Sequence, residues 1–169
     1  MSNFLTVSNK LLSLRGNIRI TDENDNLAFE AKGEFAFFSA TWRIFRDDLQ
    51  VATIRRKIFS IRPTWEIGGT LGEFLIKRKI FSFYRKMYVD GGPYEGATIS
   101  GSLLDLGFLI EKEGLELAKA SGKILTISDR HNIELLSQNA QDILFTVIGM
   151  VVVQLDRRDE NNRRARNDG

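Results

Sequence analysis

Lys57-Ile-Phe-Ser-Ile-Arg-Pro-Thr-Trp-Glu-Ile67 is answered by Lys79-Ile-Phe-Ser-Phe-Tyr-Arg-Lys-Met-Tyr-Val89. The two stretches share their length, their opening K-I-F-S and the phase of their apolar residues. Outward from this pair the pattern returns at Lys10 (KLLSLRGNIRI) and at Lys123 (KILTISDRHNI). A looser copy begins at Glu34 (EFAFFSATWRI) and a degenerate one near Gly101 (GSLLDLGFLIE). Successive starts are separated by 24, 23, 22, 22 and 22 residues. Self-similarity at a fixed period marks a chain built from copies of one supersecondary unit.

Each unit carries two strands. Ile18/Ile20 and Trp65/Ile67 alternate with polar Arg19 and Glu66, the period of a half-buried strand. Turn chemistry follows at Asp22–Asn26, Asp47-Asp48, Gly68-Gly69, Gly91-Gly92-Pro93 and Glu113-Gly114. Asp, Asn and Gly suit hairpins because they tolerate positive φ. Return strands are expected within Leu27–Phe35, Leu49–Phe59, Glu73–Phe83 and Leu115–Ile127. Six such units give about twelve strands in a meander with short connections. Propeller blades need about 40 residues each, so hairpins of this size favour a closed barrel, which also removes exposed sheet edges.

A barrel of twelve strands has a lumen too wide for its own side chains to fill. The filler is expected between Asn139 and Leu155, where apolar residues cover every face of a helix. Asn139 is placed as N-cap, and Asp142 sits in the first turn, where a carboxylate suits the helix dipole. Gly149 is expected to mark a close approach to the barrel wall. The β-branched residues of this run favour a strand, but its length exceeds a usual buried strand. The sequence therefore predicts an α+β, mainly β fold: a twelve-stranded antiparallel closed β-barrel around a central hydrophobic C-terminal α-helix. The domain is expected to span residues 1–156, with the central helix at about 139–155, and residues 157–169 to be a polar, charged and disordered tail.

The repeated K-[ILF]-[FL]-[ST]-[ILF] hairpins, the R-P-T-W-E-I stretch at Arg62–Ile67 and the late apolar run resemble LURP-one-related proteins. That family falls in the tubby C-terminal-like superfamily together with phospholipid scramblases. The resemblance covers residues 4 to about 156 and rests on structural motifs. It implies the barrel-around-helix fold already reached from the repeat, and a binding role toward lipids or proteins in place of catalysis. It carries over no individual site residue.

Composition excludes much chemistry. The 169 residues include no Cys and one His, which removes disulfides, thiolate metal sites, a Cys nucleophile and multi-His metal centres. No P-loop, G-x-S-x-G or G-x-G-x-x-G pattern occurs. No cofactor and no enzymatic activity are expected. The net charge of +2 gives no reason to expect a nucleic-acid partner. The first ten residues lack the basic and apolar regions of a secretory signal, so a cytoplasmic protein is expected. The apolar run Ile143–Val153 is shorter than the roughly 20 residues needed to cross a bilayer.

Two basic triplets recur in the same phase of consecutive repeats: Arg55-Arg56-Lys57 and Lys77-Arg78-Lys79, with Arg85 and Lys86 nearby. Three adjacent charges cannot all face water within a regular strand, so a strand end or bulge is expected at each. If the two hairpins are neighbours, these eight residues form a candidate site for anionic phospholipid headgroups on one rim, at the periphery of a membrane. The alternative partner is a protein; a scramblase-like anchoring by the C-terminal helix and an enzyme site at the barrel mouth are weaker readings. His131 replaces Trp42, Trp65 and Met87 of sister units and is read as packing. Ser13, Ser60 and Ser82 recur as turn residues.

Overall fold

The computed structural model describes residues 3–8, 16–34, 40–82, 85–101, 107–121 and 130–167. Twelve strands follow in order: β1 (Phe4–Ser8), β2 (Asn17–Thr21), β3 (Leu27–Glu34), β4 (Thr41–Arg46), β5 (Leu49–Arg56) and β6 (Thr64–Gly69). The second half supplies β7 (Phe74–Arg78), β8 (Lys86–Asp90), β9 (Thr98–Ser100), β10 (Leu109–Lys112), β11 (Leu115–Ser121) and β12 (Arg130–Leu135). Every strand pairs antiparallel with its sequence neighbour, and β1 also pairs with β12, so the sheet closes into a barrel. The expected mainly β, closed twelve-stranded barrel is what the chain forms.

The tight turns between even and odd strands lie at one end, called here the turn end. At Asp47-Asp48 both residues have positive φ (49° and 63°), the geometry a two-residue hairpin demands. The K-x-x-S segments lie at the opposite rim. The described ones, residues 57–63 and 79–82, contain no strand, so β5 and β7 end at Arg56 and Arg78. These are shorter strands than the sequence suggests, because the apolar Ile58, Phe59, Ile80 and Phe81 belong to the connections. Both basic triplets therefore sit at strand ends, as strand parity requires.

Inside the barrel, the ninth and eleventh repeat positions supply the wall of the core. Ile18, Ile20, Trp42, Ile44, Trp65, Ile67, Met87 and Val89 are all buried. The side chain of His131, at the same repeat position, lies outside the described residues; its backbone pairs with Val7. Gly33 stands opposite Trp42, and a Cβ there would lie 2.8 Å from two carbons of the indole. The ring is walled in, so Gly33→Ala is expected to cost about 1–3 kcal/mol, the usual range for overpacking. A urea midpoint lowered at constant m would measure it. An unchanged midpoint would mean that the indole can retreat.

The core's axis is α1 (Ala140–Asn167). Asn139 caps it, its Oδ1 accepting the Gln141 N–H at 2.8 Å. Asp142 in the first turn accepts from the hydroxyls of Tyr94 (2.6 Å) and Ser137 (2.5 Å), which ties the helix start to the turn end. From Leu144 to Val153 every residue is buried, so the helix is enclosed on all sides. Phe145 stacks on Tyr94 with centroids 4.1 Å apart. At Gly149 an added Cβ would meet Ile110 at 3.0 Å and Ile99 at 3.1 Å, the expected close approach to the wall.

The helix does not stop at Leu155. It runs on through Asn167, so residues 157–167 are helical where the sequence suggests a disordered tail. At 1.5 Å per residue, 28 residues extend about 42 Å, while an eight-residue strand tilted by about 40° rises roughly 20 Å. The last turns therefore project from the rim opposite the turn end.

Candidate anion-binding rim

The eight basic residues singled out from the sequence do lie at one end of the barrel, at the ends of β5, β7 and β8 or in the connections beside them, but strand parity divides them. Arg56 shares the inner face of β5 with Ile54, Arg78 that of β7 with Ile76, and Arg85 falls in phase with Met87. These three guanidiniums turn toward the barrel axis. There they meet carboxylates spaced i, i+3 and i+4 along one side of α1: Asp156, Asp159 and Glu160.

Asp156 is the centre of this clasp and only 1 % exposed. Arg78 Nη1 lies 3.3 and 3.2 Å from its two oxygens, and Arg85 Nε lies 3.2 Å from Oδ2. Glu160 pairs with Arg85 and, at 3.8 Å, with Arg78. Arg56 pairs with Asp159 and lies over the Trp65 ring, 5.6 Å from its centroid. Burial pushes the Asp156 carboxyl above the ordinary carboxylate range, and Arg78 and Arg85 pull it back. Burial also draws the Arg56 guanidinium below its ordinary value, with Arg163 and Arg78 adding repulsion. A cleft of about 250 Å³ opens here, and Arg163 and Arg164 of the projecting helix complete its lining.

The remaining candidates face outward. Lys57 pairs with Glu66 at 3.6 Å, and Lys77 pairs with Asp90 across the outer surface. Arg55 is exposed on the outer face of β5. Exposed Lys79 donates its backbone N–H to the Lys86 carbonyl at 2.8 Å, and neither lysine side chain makes an ion pair among the described residues. Arg62, which the basic triplets did not include, donates to the Tyr88 hydroxyl at 2.7 Å and lies over that ring.

Charge is also sorted along the barrel axis. The turn end carries Asp22, Glu23 and Asp25, then Asp47 and Asp48, then Glu73, Glu95 and Glu113, and its turns contain no Lys or Arg. At the opposite rim, segments 57–63 and 79–82 carry Lys57, Arg62 and Lys79 and no acid. The projecting helix adds Arg157, Arg158, Arg163, Arg164 and Arg166 against Asp156, Asp159 and Glu160. Among the described residues, the small net charge thus conceals a separation of acidic turns at one end from a rim richer in bases at the other.

The LURP-one-related family model matches residues 4–154. The chain belongs to the LURP-one-related family. No curated protein and no solved structure is a significant match to it. The family match takes in all twelve strands and the enclosed part of α1, and it ends two residues before Asp156. The clasp acids therefore lie just beyond the span that defines the family in this chain. They are the residues of this rim that the sequence pattern alone did not single out. Their i, i+3, i+4 spacing was the available signal, since it aligns three acids on one helical side. Among the described residues no helix is both long and apolar enough to cross a membrane.

Proposed function

We propose that this LURP-one-related protein is a non-catalytic binding module that docks its basic rim on an anionic membrane surface. The observation that carries the reading is the sorting of charge along the barrel axis. A molecule acidic at one end and basic at the other is oriented by a negative surface before it touches it. Each Lys or Arg held near such a surface contributes about 1 kcal/mol, within a Debye length. Part of the rim's positive charge is already answered by Asp156, Asp159 and Glu160, so the cations that carry the docking include Arg62, Lys79 and Lys86. A scramblase-like anchoring by α1 is disfavoured, because its apolar turns are enclosed by the barrel.

Vesicle co-sedimentation over a salt series tests this. Binding to phosphatidylserine-containing vesicles at low salt, falling as salt rises and absent on neutral phosphatidylcholine, is the expected result. Lys79→Glu/Lys86→Glu is expected to weaken it by at least tenfold. No binding to anionic vesicles even at low salt would overturn the reading and leave a protein partner.

A further inference from the structure

We infer that the paired I-F-S tips of residues 57–63 and 79–82 are apolar wedges that enter the interfacial layer of the bilayer; this rests on the membrane reading above. Phe59, Ile61 and Phe81 are 95 %, 98 % and 94 % exposed, and Ile58 and Ile80 are about half exposed. Among the described residues, five of the nine exposed large hydrophobic ones thus sit on two neighbouring connections at one rim. Scattered exposed Ile or Phe needs no explanation, but a concentration of this kind marks a contact surface. In the same two repeats, positions nine and eleven are buried as the core requires, so these outward positions are not used by the barrel.

The first tip is held in shape by its own polar groups. The Ser60 hydroxyl is 3.1 Å from the Lys57 carbonyl and 2.7 Å from that of Arg62, and the Thr64 hydroxyl donates to Arg62 at 3.0 Å. The Lys57 N–H bonds to the Thr64 carbonyl, and the Arg78 N–H ties Pro63 to the end of β7, both at 2.9 Å. Phe59 and Ile61 are therefore presented on a preformed loop, which lowers the ordering cost of inserting them.

The neighbouring charges select a bilayer as the occupant. Lys57, Arg62 and Lys79 frame the tips, with no acid on either described segment. Apolar residues collared by cations match a surface that is anionic at headgroup level and apolar beneath it. Stable membrane attachment takes two signals, and the tips would supply the apolar one beside the charged one.

The chain has no Cys, so a single introduced thiol can be labelled alone. An environment-sensitive fluorophore on Phe59→Cys is expected to shift to the blue and be quenched by brominated lipid when phosphatidylserine vesicles are added. The same label on Asn24→Cys, at the turn end, is expected to do neither. Phe59→Ser/Phe81→Ser is expected to bind about tenfold or more weakly with its salt dependence unchanged. Both side chains are nearly fully exposed, so thermal stability should stay at the parent value.

If the parent binds and the double variant binds equally, with no shift at position 59, insertion is overturned while the charge-driven reading stands. If the parent binds no anionic vesicle at any salt, both fall. A parent that self-associates through the tips, with vesicle binding untouched by the double variant, would assign them to a second copy and overturn insertion.

Discussion

A chain that ends at Asn139 will yield no folded barrel. It keeps every strand and every turn, and it loses only α1. Nine large apolar side chains of that helix, from Leu144 to Leu155, are buried. At ~1.5–3 kcal/mol each they match or exceed the ~5–15 kcal/mol by which a domain of this size is stable. Their removal also opens the inner faces of all twelve strands to water. The expected outcome is an insoluble product, or one with no cooperative thermal transition and no near-ultraviolet dichroism. A peptide spanning 139–167, added during refolding, should restore both signals. A monodisperse, cooperatively melting chain without α1 would show that the barrel can close on its own side chains.

Replacing both Arg78 and Arg85 by Met is expected to destabilise the protein by about 3–5 kcal/mol, the range for leaving a buried charge without its partner. The cost falls on Asp156, which stays buried while both guanidiniums that answer it are gone. Adding Asp156→Leu to the pair should recover most of the loss, since a well-packed apolar group can replace a buried ion cluster at little cost. The recovery is the decisive measurement, because simple loss of arginine packing would survive it. The pH dependence has a definite sign. Asp156 has its folded-state pKa raised by burial, and removing the two arginines takes away the charges that chiefly oppose that direction. Such a carboxyl binds its proton more readily in the folded state, so its contribution to stability is present at low pH and lost as pH rises through the raised pKa. The deficit of Arg78→Met/Arg85→Met should therefore shrink as the pH is lowered. A deficit that grows on acidification would place the damage elsewhere.

The repeat made most of the fold legible. Alternation at positions nine and eleven identified the residues that line the core, and the all-apolar surface of 143–155 identified what fills it. Asn139 was readable as a cap because the residue type and the onset of the apolar run coincide. The end of the helix was not readable in the same way. Past Leu155 no large apolar residue remains, and hydrophobic periodicity is silent where a helix is held by ion pairs. The pairing was encoded in two places at once: acids three and four apart after Leu155, and arginines in the inward phase at 56, 78 and 85. Neither half is informative without the register that brings them together.

The same limit explains the candidate site. Eight basic residues near one rim look alike in composition, yet Arg56 and Arg55 differ by one step of strand parity, which sends one to the axis and the other to solvent. Ile61 and Ile67 are equally apolar, and only the end of the strand pairing separates an exposed tip from a core residue.

The placement of the core filler after all twelve strands has a consequence for timing. During synthesis β2 to β11 emerge with no axis to pack on, and β1 must wait for β12, well over a hundred residues later, before the sheet can close. Contacts of such long sequence separation make folding slow and leave strand edges open while it proceeds. This barrel is committed to folding only once α1 has left the ribosome. Until then the inner faces of its strands have nothing in the chain to cover them.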